Sequence, residues 1–71
     1  MHARELKPGM ICRTREPIMK CANDDDGRLC RVICEVTSAR RRHPEIPEYK
    51  VELLAFPLTA FRRVTDLEVV G

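Results

Sequence analysis

The sequence predicts an all-β fold of five short antiparallel strands, and three observations carry that expectation. Turn-forming residues recur at Pro8-Gly9, Pro17, Asn23 to Gly27, Pro44, Pro47 and Pro57. The segments between them are about as long as strands, and none holds a helical period. Within them apolar and polar residues alternate, which is the pattern of a strand with one buried face.

The elements follow in order. Met10 to Arg15 forms a first strand, with Met10, Cys12 and Thr14 inward and Arg13 and Arg15 outward. Ile18 to Cys21 reads as a short second strand after Pro17. Asp26-Gly27 then reads as a hairpin turn, because glycine tolerates positive φ. The longest strand runs from Arg28 to Ser38. On it Cys30, Val32, Cys34 and Val36 point inward, with Leu29 and Ile33 as apolar exceptions on the other face. Tyr49 to Phe56 follows, with Tyr49, Val51, Leu53 and Ala55 inward and Lys50 and Glu52 outward. Leu58 to Val64 forms a strand after the turn at Pro57. Thr65 to Glu68 makes a single helical turn, and Val69-Val70 closes the chain as a last short strand.

Seventy-one residues imply one domain, residues 1–71, near the lower size at which a core stabilises itself. Apolar residues are 44% of the chain and charged residues 34%, which fits a folded domain rather than a disordered tail. Tyr49, Phe56 and Phe61 are the only aromatic residues, so the core is aliphatic and thin. A chain of this kind gains stability from a protein partner or a second copy, and a homo-oligomer is expected. The polar opening and the lack of any apolar stretch of roughly 20 residues predict a cytoplasmic, non-membrane protein with reduced cysteines.

Several stretches resemble the small SH3-like barrels of bacterial nucleic-acid and transcription machinery. They are Leu6-Lys7-Pro8-Gly9-Met10, Asp26-Gly27, Tyr49-Lys50-Val51-Glu52-Leu53 and Asp66-Leu67-Glu68-Val69-Val70. The resemblance implies a five-stranded SH3-like barrel with one helical turn before the last strand. It also implies a binding surface on the long mid-chain loop and neighbouring strand faces. One enzyme shares this architecture, the type II dihydrofolate reductase, whose late strand carries a Val-Gln-Ile-Tyr motif. The corresponding stretch here is Phe61-Arg62-Arg63-Val64, so none of that enzyme's residues carries over.

Candidate chemistry is sparse. Cys12, Cys21, Cys30 and Cys34 are spaced C-x8-C-x8-C-x3-C, without the C-x2-C pair of zinc ribbons. On one strand Cys30 and Cys34 lie roughly 13 Å apart, too far for a disulfide. The thiols are expected to pack as small apolar groups, and no metal is expected. The acidic turn at Asn23 to Gly27 fails as a calcium loop, since Ala22 and Ile33 occupy places that need carboxylates. No hydrolase, metalloprotease or phosphate-loop motif is present, so the protein is expected to be neither an enzyme nor a cofactor carrier.

The basic residues remain. Ten of the thirteen are arginine and the net charge is only +2. Arg40, Arg41, Arg42 and His43 stand in the long loop, and Arg62-Arg63 near the end of a strand. Arg40, Arg41, Arg42, Arg62 and Arg63 are the candidate contacts to a nucleic-acid backbone, which arginine grips in bidentate fashion. The competing account is a solvated loop balanced by Glu45, Glu48 and Glu52. With Tyr49 assigned to the core, few rings remain for stacking bases, so duplex or structured RNA is the expected nucleic acid. The alternative function is protein interaction through Leu29, Ile33, Leu54, Phe56 and Phe61, all on outward positions by alternation.

Overall fold

The structure, a computed structural model, describes residues 6–70. The expectation for the polar opening at residues 1–5 lies outside that range. The described chain is all-β, with strands β1 (Ile11–Thr14), β2 (Leu29–Glu35), β3 (Glu48–Leu53), β4 (Thr59–Arg63) and β5 (Leu67–Val69). All strand pairings are antiparallel, in the order β4-β3-β2-β1-β5. Three single turns of 3-10 helix, Asp24–Gly27, Ser38–Arg40 and Val64–Asp66, sit in the connections.

Alternation decides which face is dry. Cys12 and Thr14 on β1, Cys30 and Val32 on β2, Tyr49, Val51 and Leu53 on β3, and Leu67 on β5 are buried together with Leu6. These residues stand opposite one another in the ladders: Cys12 faces Cys30, Val32 faces Val51, and Thr14 faces Leu67. Tyr49 is 1% exposed, and its hydroxyl oxygen accepts the Leu6 N–H at 3.2 Å. That bond gives the buried phenol a partner and ties the entry segment to the core.

The barrel is not closed. The five strands form one sheet whose edges, β4 and β5, do not pair among the described residues. β5 is three residues long. The inner face is covered instead by residues outside the strands: Ile18, Met19, Phe56 and Val64 pack against it.

Several local expectations are corrected. The second strand expected at Ile18 to Cys21 is irregular chain. Its place is set by the Ile18 N–H, which donates to the Gly27 carbonyl at 2.8 Å, and by burial of Ile18 and Met19 against the core. The Asp26-Gly27 turn is 3-10 helix rather than a positive-φ hairpin turn. Positive φ occurs among the described residues only at Gly9, at 93°, where the Pro8-Gly9 turn enters β1. Gly27 is required for a different reason: a Cβ there would lie 1.9 Å from the Met19 carbonyl oxygen.

On β2 the alternation breaks. Val32 faces Val51, but the next pairing is Cys34 with Lys50. Ile33 and Cys34 thus share one bulge, and both are exposed. Cys34 is therefore not a core residue, and Val36 is half-buried beyond the strand end. β3 stops at Leu53, so Ala55 is exposed rather than inward. The final turn and strand begin one to two residues earlier than expected, at Val64 and Leu67.

Candidate nucleic-acid interface

The arginines fall into two groups according to whether a carboxylate holds them. Arg13 pairs with Asp24 and Asp25 at 3.1 and 3.3 Å, Arg28 with Asp24 at 2.9 Å, and Arg31 with Glu52 at 3.3 Å. Arg41 pairs with Glu35. Arg15, Arg40, Arg42, Arg62 and Arg63 make no ion pair with a described residue within 4.0 Å. Four of the five candidate arginines are in this second group.

Arg41 differs because the loop uses it. Its Nε donates to the Val36 carbonyl at 2.9 Å and its Nη1 to the Pro44 carbonyl at 2.9 Å, while Nη2 meets Glu35. Only 12% of the side chain is exposed. The guanidinium thus closes the loop between β2 and β3 on itself and has little surface left for a ligand. The turn at Ser38–Arg40, where Arg40 N–H donates to the Thr37 carbonyl at 2.9 Å, keeps Arg40 on the outside.

Arg42, Arg62 and Arg63 come together. They line one open cleft of about 360 Å³ with Glu48, Phe61 and Asp66. The register explains the gathering. Glu48 faces Arg63 and Tyr49 faces Arg62 across β3 and β4, so the two arginines start from opposite faces of the sheet. Arg62 turns back and donates from Nη1 to the Phe61 carbonyl at 2.7 Å, which brings its guanidinium to the strand. The Val64 N–H donates to the Pro47 carbonyl at 2.8 Å, fixing the start of the turn that carries Asp66 beside the loop that carries Arg42. A second depression, lined by Arg15, Glu16, Arg62 and Asp66, adjoins through its two shared residues.

Three guanidiniums against two carboxylates leave the cleft with one positive charge in excess. Of the acids expected to balance the loop, Glu52 is held by Arg31 and Glu45 lies 3.6 Å from His43. Glu48 lines the cleft itself. Sequence reasoning did not bring Glu48 and Asp66 to this place, because only the β3–β4 register and the final turn do so.

Of the five outward apolar candidates, Phe56 packs against the core and meets Leu54 in a depression beside the Arg31–Glu52 pair. Leu29 is half-buried, opposite Arg13 in the ladder. Ile33 is 36% exposed at the bulge. Phe61 is 54% exposed and belongs to the arginine cleft, with Lys50 facing it across the strands. Val70 and Leu58 are further exposed apolar residues that the alternation did not single out.

Among the described residues no group of three or more His, Cys, Asp or Glu is arranged to hold a metal ion. No helix of the described residues is long and apolar enough to cross a membrane. Comparison with protein-family models, curated proteins and solved structures found no match to this chain.

Proposed function

We propose that this protein is a small non-enzymatic binding domain that holds a nucleic-acid backbone in the cleft of Arg42, Arg62 and Arg63. One observation carries the reading: three arginines without a carboxylate partner among the described residues line a single cleft. Guanidinium groups present planar donor forks that match phosphate oxygens, and a site built from them binds with little sequence preference. Arg40, exposed on the neighbouring loop, extends the positive surface; Arg41 supports the loop and does not contact the ligand. A cytoplasmic location, where nucleic acid is at hand and thiols stay reduced, agrees with four free cysteines.

The test is a binding titration of mixed-sequence oligonucleotides at low salt, using the wild type, Arg42→Ala/Arg63→Ala and Arg41→Ala. The double variant is expected to bind at least several-fold more weakly, and Arg41→Ala to retain binding wherever it stays folded. Absence of any wild-type binding at low salt contradicts the proposal.

A further inference from the structure

We infer that the cleft takes single-stranded rather than duplex nucleic acid, with Phe61 as the platform for an unpaired base. This rests on the reading of the cleft as a nucleic-acid site, and it departs from the duplex or structured RNA expected from the sequence. The observation behind it is the place of Phe61. Phe61 is 54% exposed, and it lines the same cleft as the three arginines.

Phosphate binding alone has no use for an aromatic wall. A ring beside guanidiniums suits a nucleotide unit whose phosphate meets the arginines while its base lies on the ring face. A base in a duplex is stacked between its neighbours and cannot reach such a ring. The two carboxylates point the same way. Glu48 and Asp66 repel phosphate, but ionised carboxylates accept hydrogen bonds. The amino groups of an unpaired base edge, or a ribose hydroxyl, are donors of the right kind, and pairing in a duplex consumes the base donors. The volume, about 360 Å³, lies at the lower end of the range that takes a small ligand and fits one such unit.

Position on the strand supports the assignment. Phe61 faces Lys50 across the ladder and lies on the outer face, away from the buried core. It has Arg62 and Arg63 as its chain neighbours, and the Arg62 guanidinium is bonded to its carbonyl. The base platform and two of the three phosphate ligands, Arg62 and Arg63, therefore sit side by side on β4.

The experiment compares three probes at one low salt concentration: a mixed-sequence single strand, the same strand with its bases removed, and the corresponding duplex. Wild type is expected to bind the intact single strand about tenfold more tightly than the abasic strand, and more tightly than the duplex. Phe61→Leu, at an exposed position that keeps its apolar character, is expected to bind intact and abasic strands alike. Arg63→Ala is expected to weaken both strands together. Equal wild-type affinity for intact and abasic strands, or a preference for duplex, overturns the single-strand inference and leaves the backbone reading standing. No binding to any of the three overturns both.

Discussion

Cys12 and Cys30 face each other across β1 and β2, and neither is exposed at all. The Cys30 Sγ lies 3.5 Å from the Cys12 carbonyl oxygen and donates to it. Burial pushes the Cys30 thiol up from 9.0 to about 11, Cys12 adds to the shift, and Arg62 partly offsets it. The folded state therefore keeps this proton more firmly than the unfolded chain does. Stability from this site is complete below about pH 9 and is lost as pH rises towards about 11. Denaturant unfolding is expected to show a loss on the order of 2 kcal/mol across that window, and Cys30→Ala to lack that component. An identical pH profile for wild type and variant contradicts it. The sequence made these two cysteines legible as core residues through their alternation with Arg13 and Arg31. Cys34 was read the same way and is exposed, because a bulge adds a residue without changing composition.

At the scale of elements, β1 and β4 were legible to within a residue at each end, and β3 was legible at its start, where Tyr49 to Leu53 alternates, but not at its end. The stretch Ile18 to Cys21 was not. Four residues with three apolar side chains suit a strand equally well, but here a tertiary hydrogen bond from Ile18 to Gly27 and contact with the core decide the conformation. The loop between β2 and β3 shows the same limit. Its three adjacent arginines are alike in sequence, yet Arg41 turns in to bind two carbonyls and Glu35, while Arg40 and Arg42 stay exposed. The difference has a measurable consequence. Arg41→Ala is expected to cost about 1–3 kcal/mol in chemical denaturation, as loss of hydrogen bonds from a charged donor does. Arg40→Ala is expected to stay within about 0.5 kcal/mol of wild type. Equal stability of the two variants contradicts the assigned roles.

Across the whole molecule, the net charge of +2 says little, and its distribution says more. Asp24, Asp25, Glu35 and Glu52 hold Arg13, Arg28, Arg31 and Arg41 in ion pairs. The more exposed of these pairs, Arg13–Asp24, Arg13–Asp25 and Arg31–Glu52, add little stability, while Arg42, Arg62 and Arg63, without such a partner among the described residues, gather at the end of β4. The candidate site was thus half legible: Arg42, Arg62 and Arg63 stood out by type. Their meeting with Glu48, Phe61 and Asp66 depends on pairing register and on one turn of 3-10 helix.

Positive charge held against phosphate releases counterions, whereas a merely solvated loop releases none. The direct measurement is the slope of log affinity against log salt for a single-stranded oligonucleotide. One to three phosphates neutralised by the cleft arginines predict a slope of about −0.7 to −2 for the wild type, and Arg42→Ala/Arg63→Ala is expected to bring it closer to zero. A wild-type slope near zero, or one that the double variant leaves unchanged, would contradict the proposal that this cleft binds phosphate.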